Sequence, residues 1–431
     1  MNCPEIREKL AEIKTLKQEL VSGLAQAQNH EDTLILVNLQ EKIEGILKEI
    51  KEEIVKRRWV DWNEYSPKEL KEVRYKEGYT CQETIEEDED KRSDVYTLQV
   101  LPDGRIVSGS SNGIIKIWQK DAQGAWQTET LSGDIGSVYT LQVLPDGRIV
   151  SGSSDRTIKI WQKDAQGAWQ TETLSGDIGS VYTLQVLPDG RIVSGSSNGI
   201  IKIWQKDAQG AWQTETLSGH TDWINWVNTL QVLPDGRIVS GSNDRTIKIW
   251  QKDAQGDWQT ETLSGHTGWV LTLQVLPDGR IVSGSGDRTI KIWQKDAQGA
   301  WQTETLSGHT DWVRTLQVLP DGRIVSGSGD RTIKIWQKDA QGAWQTETLS
   351  GHTSFILTLQ VLPDGRIVSG SGDRTIKIWQ KDAQGAWQTE TLSGHTSFIL
   401  TLQVLPDGRI VSGSRDGTIK IWDGEKVEKG I

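Results

Sequence analysis

Ser326, His309 and Asp330 are the residue types of a nucleophilic triad: a hydroxyl, an imidazole to take its proton, and a carboxylate to orient the imidazole. The same arrangement would have to serve five times over. His220, His266, His309, His352 and His395 are each followed by an aspartate, at Asp244, Asp287, Asp330, Asp373 and Asp416. Six residues after each aspartate stands a tryptophan, at Trp250, Trp293, Trp336, Trp379 and Trp422. Five copies in one register read as a packing rule, not as an active site. Hydrogen bonding supports this, because neutral imidazole both donates and accepts, carboxylate accepts and indole donates. The histidines come one per repeat and are expected far apart, so no metal set is predicted. No cofactor motif and no unique polar constellation is visible, and the chain reads as non-enzymatic.

The elements that would position these residues are repeats. Ile-Lys-Ile-Trp ends at Trp118, Trp161, Trp204, Trp250, Trp293, Trp336, Trp379 and Trp422, at a spacing of 43 residues with one step of 46 between Trp204 and Trp250. A Leu-Pro-Asp-Gly-Arg turn recurs in step, from Pro102 to Pro406. In one unit, Val313–Val318 alternates, with Val313, Thr315 and Gln317 expected on one side. Pro320-Asp321-Gly322 makes a tight turn, with φ preset by Pro and positive φ tolerated by Gly. Arg323–Ser328 is a second strand, Thr332–Trp336 a β-branched third, and Ala343–Thr348 a more polar fourth. Four short strands in about 40 residues make one propeller blade. The density of Gly, Thr, Val and Ile, without helical periodicity, excludes a helical solenoid.

Gly-His, Pro-Asp-Gly, Ser-Gly-Ser-Gly-Asp and Ile-Lys-Ile-Trp, recurring in register over residues 79–423, resemble the WD-repeat propellers. One departure is consistent: the Asp after the Trp is present only at Trp422-Asp423 and is Gln elsewhere, as at Trp336-Gln337. The resemblance implies that His309, Asp330, Trp336 and a second-strand serine, Ser326, form a structural hydrogen-bond network, and likewise in the other four sets. The first three blades lack it, with Lys91, Asp134 and Asp177 at the His position and Asn112, Asp155 and Asn198 at the turn. The resemblance also implies closure by strands from both chain ends. The eighth copy stops after its third strand, and Tyr79-Thr80-Cys81-Gln82-Glu83-Thr84-Ile85 mimics the fourth-strand string Trp344–Leu349. The expected fold is therefore all-β, an eight-bladed propeller over 79–423 closed by residues 79–86, with seven blades as the alternative and 424–431 as a tail.

The copies differ mainly at the start of the first strand and before the turn Asp. Each carries one aromatic near the first: Tyr96, Tyr139, Tyr182, Trp226, Trp269, Trp312, Phe355 and Phe398. Arg314 and Arg415 join them. In WD-repeat propellers these positions lie around the channel mouth, where partners dock. Aromatics and Arg are typical interface anchors. The expected function is a protein-interaction scaffold; the alternative is a propeller binding a repeated small ligand such as a glycan. A second set, Trp126, Trp169, Trp212, Trp258, Trp301, Trp344 and Trp387, is expected to cover the space between blades.

Residues 1–78 differ. Leu10, Ile13, Leu16, Leu20 and Leu24, then Leu36, Leu39, Ile43, Ile46, Ile50 and Ile54, form two apolar stripes that predict an α-helical hairpin. Ser66-Pro67-Lys68-Glu69 predicts a third, short helix ending near Tyr75. A two-helix hairpin would leave much of this stripe exposed, so it needs a partner: a second copy through residues 1–58, which is favoured, the propeller, or another protein. The net charge of −11, with 22 acids and 16 bases in residues 1–92 and 37 and 32 in the remainder, argues against nucleic acid as a partner. No run of about 18 apolar residues exists, so no membrane span is expected. The two cysteines, Cys3 and Cys81, lie outside the repeats and suggest no disulfide framework, and a cytoplasmic location is expected.

Overall fold

The computed structural model describes residues 75–86 and 93–427, short stretches at 102, 134–135, 145, 177–178, 188, 222–224, 234, 277 and 320 apart. The expected helical hairpin and the coiled-coil self-association of residues 1–58 lie outside these. The short helix expected to end near Tyr75 also lies outside the described residues, which begin with a strand, Tyr75–Glu86.

The described residues form eight four-stranded antiparallel sheets. In the sixth blade the strands are Val313–Val318, Ile324–Ser328, Thr332–Lys338 and Trp344–Ser350. The first strand of each blade packs against that of the next, and the eighth, Ile399–Val404, packs against the first, Val95–Val100. The ring therefore closes at eight blades, and the seven-blade alternative falls.

Each core cluster spans two blades. Leu276, Val282, Ile290 and Ile292 of the fifth blade pack with Val313, Leu316, Ile324 and Trp336 of the sixth. The second strand, Ile-Val-Ser-Gly-Ser, is buried throughout because a neighbouring blade covers each of its faces. Its glycine sits where backbones must approach: a Cβ on Gly327 would lie 2.6 Å from Ile356 Cγ2 in the next blade. Side-chain amides tie the inner strands together. Gln317 Nε2 donates to the Leu359 carbonyl at 3.2 Å, and Gln403 closes the ring by donating to the Leu98 carbonyl at 3.0 Å.

Strict alternation of the first strand does not hold. Val313 pairs with Ser328 but Thr315 pairs with Gly327, so Arg314 bulges out of the ladder. The buried positions are then Val313 and Leu316, three apart instead of two. A bulge of this kind re-aims the residue it carries.

Both chain ends meet in the last blade, where Tyr75–Glu86 pairs antiparallel with Thr418–Val427. The pairing starts before Tyr79 and runs past Asp423, further at both ends than the sequence suggested. The register shift between Cys81 and Glu83 absorbs the extra residue of Tyr79–Ile85 relative to Trp344–Leu349. Tyr79 then stands where the other blades have the fourth-strand Trp. It is buried, donates its hydroxyl to the Gly408 carbonyl at 3.0 Å, and lies under the Arg366 guanidinium.

The fourth-strand tryptophans do cover the seams. Glu129 of the first blade accepts from Lys163 Nζ at 2.9 Å and from Trp169 Nε1 of the second, with the Lys163 ammonium 5.2 Å from the Trp169 ring centroid. Glu172, Glu215, Glu261, Glu304 and Glu347 repeat this latch. At the closure Glu83 takes the part of Glu129 and pairs with Lys120.

Five turn residues after the Asp carry positive φ without being glycine: Arg156, Arg245, Arg288, Arg331 and Arg374, at 70–73°. Gly113, Gly199 and Gly417 occupy the same place in the other three blades. A left-handed conformation strains any residue with a Cβ. Replacing all five arginines by glycine is expected to raise the melting temperature, at about 0.5–1 kcal/mol per site, part of the strain relief being lost to the freer unfolded chain. A thermal melt of the fivefold variant that falls below wild type would contradict this.

Candidate partner-binding site at the channel mouth

The triad-like residues are brought together in all five sets, and their geometry is that of a lock. His309 Nδ1 lies 2.7 Å from Asp330 Oδ2, and His309 Nε2 lies 2.8 Å from Ser326 Oγ. Trp336 Nε1 donates to the same Ser326 Oγ at 2.8 Å. The partners fix the proton positions: indole N–H to serine oxygen, serine O–H to Nε2, Nδ1–H to carboxylate. Ser326 is 0% exposed, so no substrate carbonyl can reach its oxygen. Thr332 Oγ1 and the Thr310 N–H complete the shell around Asp330, at 2.6 and 2.9 Å. In the first three blades the Trp–Ser bond persists, as from Trp118 Nε1 to Ser108 Oγ at 2.9 Å, while Asn112 and Asp155 accept hydrogen bonds within their own turns. Among the described residues no group of His, Cys, Asp and Glu could hold a metal ion.

These buried pairs give stability a pH dependence. Burial works against ionisation of Asp244, but the hydrogen bond and charge of His220, with the Thr246 hydroxyl and N–H, outweigh it and hold the carboxyl at about 2. Asp287, Asp330, Asp373 and Asp416 are lowered by the same balance. Burial pushes the His220 and His395 imidazoles below their ordinary value, against the pull of Asp244 and Asp416. For carboxylates lowered in the folded state, the stabilisation is complete above the ordinary value of 3.8 and is lost as pH falls below it. For the lowered imidazoles it is complete above 6.5 and shrinks as pH falls below that. The melting temperature is therefore expected to be flat above neutral pH, to slope gently down below 6.5, and to drop steeply below 3.8. A melt series flat down to pH ~3 would contradict this linkage.

The lock holds a turn that lies beside the start of the first strand. In every blade the residue before the turn Asp or Asn donates its N–H to the carbonyl just ahead of the buried first-strand residue, as Gly329 does to Trp312 at 2.9 Å and Arg415 to Phe398 at 2.9 Å. The two variable positions of the repeat are thus one continuous rim. The aromatics stand along it in blade order. Tyr96 and Tyr139 have ring centroids 5.6 Å apart, Tyr139 and Tyr182 stack at 4.8 Å, and Tyr182 stacks on Trp226 at 5.0 Å. Asn228 bridges onward, donating to Asn243 at 2.7 Å and to the Val270 carbonyl at 2.9 Å. Trp269 then meets Trp312 at 5.5 Å, and Phe355 meets Phe398 edge-on at 5.3 Å. Arg314, the bulged residue, lies between two rings, 5.4 Å from the Trp312 centroid and 5.2 Å from that of Phe355. Arg415 stands over Phe398 at 5.8 Å and pairs with Asp94 at 3.4 Å, which brings the rim back to the first blade. Burial pushes the Asp94 carboxyl and the Tyr96 hydroxyl up, the first partly offset by Arg415.

The rim is uneven. Trp226, Trp269 and Trp312 are 40%, 38% and 38% exposed, the most open large apolar side chains among the described residues, whereas the tyrosines and phenylalanines are half-buried. Sequence reading named these aromatics as candidates and Asn228 and Asn243 among the variable positions, but it missed the Gln ladder. The ladder's signal was present, because the same Gln recurs in every first strand.

Matches to the family model for the WD domain, G-beta repeat, fall at residues 80–119, 126–162, 169–205, 212–251, 258–294, 301–337, 344–380 and 387–423. The chain belongs to the WD-repeat family. Among solved structures it is similar to the WD40 β-propeller domain of Doa1, at 30% identity and a TM-score of 0.50, over 67% of this chain and 93% of that one. No curated protein matches. WD-repeat propellers generally mediate protein–protein interaction and are typically non-catalytic. No helix among the described residues is long and apolar enough to cross a membrane.

Proposed function

We propose that this WD-repeat protein is an interaction scaffold that takes a protein partner on the channel mouth, with Trp226, Trp269 and Trp312 as anchors. The exposure of three large indoles on adjacent blades carries the reading, since monomeric surfaces rarely leave contiguous apolar groups open without a partner. Trp and Arg are also the side chains in which interface binding energy concentrates. The unevenness favours this over a ligand repeated around the ring. A glycan bound blade by blade needs eight like sites, and the tyrosines stack on one another with their faces engaged.

Photo-crosslinking tests it. A photoreactive residue at Trp269, with Trp226 and Trp312 intact, is expected to capture a discrete partner from the source cell. The same residue at Gln341, in a turn at the opposite end of a blade, is expected to capture none of it. Equal capture from both positions would overturn the proposal. So would binding of glycans at near-equal occupancy around the ring.

A further inference from the structure

We infer that the mouth recognises a carboxylate: the partner is a peptide segment of a second protein that places an Asp, Glu or C-terminal carboxylate on Arg314 and an apolar side chain against Trp312 and Trp269. This rests on the reading of the mouth as a docking surface and adds the chemistry of what docks.

Arg314 is the bulged residue of its strand, so its side chain leaves the ladder and turns onto the rim. Two aromatic faces hold its guanidinium, those of Trp312 and Phe355. Its Nε is buried and makes no hydrogen bond. The acid next in the rim, Asp311, is engaged elsewhere, accepting from the Trp312 N–H at 2.7 Å. The other rim arginine differs here: Arg415 has Asp94. An arginine stacked between rings keeps its fork pre-organised and loses little freedom when it bonds a carboxylate. Desolvation by the two rings strengthens the bond, because the local dielectric is low. The neighbours fix the rest of the ligand. Trp312, against the guanidinium, and Trp269, tilted at 58° beside it, are 38% exposed each. One cation among apolar rings suits a monoanion; a phosphate dianion calls for a second positive group, and the described residues place none against the rings that hold Arg314. The sixth blade alone has Arg in the bulge position, where the others have Tyr96, Tyr139, Tyr182, Asn228, Leu271, Leu357 and Leu400. The carboxylate is therefore read at one point of the ring, which gives the partner a fixed orientation.

The test uses the full chain and fluorescein-labelled nonapeptides in which one Phe or Trp is separated from one Glu by one to four alanines. Matched peptides carry Gln or phosphoserine in place of Glu. Fluorescence anisotropy is expected to show saturable binding of at least one Glu peptide, with the Gln counterpart weaker by about tenfold or more. Arg314→Gln should erase that difference, and Arg314→Lys should restore only part of it, since a single ammonium lacks the fork. Trp312→Ala should weaken both peptides, and the Glu peptide more, because the ring also holds the guanidinium. Thermal melts of each variant confirm that it is folded. Equal binding of Glu and Gln peptides, still lost in Trp312→Ala, would overturn the carboxylate assignment and leave the docking surface standing. Preference for phosphoserine would overturn it in favour of a phosphate. Binding of no peptide below ~1 mM, with the melts unchanged, would overturn it outright.

Discussion

A chain lacking residues 1–86 is expected to lose its monomeric ring, whereas one lacking only 1–74 keeps it. The difference between the two isolates the strand Tyr75–Glu86. That strand buries Tyr79 and Ile85, covers the edge of Thr418–Val427, and supplies Glu83 to the latch with Lys120. Burial of two large apolar side chains and the lost pairing together amount to about 5 kcal/mol. In a domain of this size that lowers the melting temperature by roughly 7 °C. It also leaves an open strand edge, and such edges pair with other chains. Size-exclusion chromatography with light scattering should show dimers or larger species for the shorter chain only. Two monomers with the same melting temperature would mean that the ring does not depend on this strand.

The next largest effect is expected from Gly327→Val. A Cβ at this position would stand 2.6 Å from Ile356 Cγ2 and 2.9 Å from Thr315 Cγ2. Ile356 is 0% exposed and has nowhere to retreat, because with Leu359, Ile367 and Trp379 it packs the seventh blade on the sixth. Overpacking a closed seam costs about 3 kcal/mol, and more if the ring must spread to admit it. Gly286→Ala is the control, since nothing stands nearer than 3.6 Å to its Cβ and the change is expected to stay within about 0.5 kcal/mol. Chemical unfolding of the two variants compares them directly. A Gly327→Val protein as stable as Gly286→Ala would show that the blades are not held at this distance.

Much of the ring was legible in the sequence because the repeat restates itself. Eight registered Ile-Lys-Ile-Trp strings define eight third strands, and the shortfall of one fourth strand points to Tyr79–Ile85 as the piece that closes the last blade. The His–Asp–Trp lock was legible for the same reason: its members recur at fixed spacing and their donors and acceptors match. Other features depend on geometry that no spacing carries. Alternation placed Val313, Thr315 and Gln317 on one side, but a bulge after Val313 re-aims Arg314, and only the folded ring shows it between Trp312 and Phe355. Arg331 reads as an ordinary turn residue, and its positive φ is visible only in the backbone. The tyrosines follow the buried first-strand residue and the tryptophans precede it, as in Tyr182 after Val181 and Trp226 before Val227. That the two places share one rim, with Tyr182 stacked on Trp226, needed the structure.

Closure within a single chain is the claim on which the mouth and its uneven rim depend. Thr84 and Lys420 are cross-strand partners at the seam, with Lys420 Nζ donating to Thr84 Oγ1 at 2.7 Å. In a Cys3→Ser, Cys81→Ser background, the pair Thr84→Cys and Lys420→Cys can be oxidised and the product sized on a non-reducing denaturing gel. A closed eight-bladed ring predicts a disulfide within the chain, seen as a faster-migrating monomer at every protein concentration. Crosslinked dimers that increase with concentration would contradict it, because the closing strand would then belong to a neighbouring molecule.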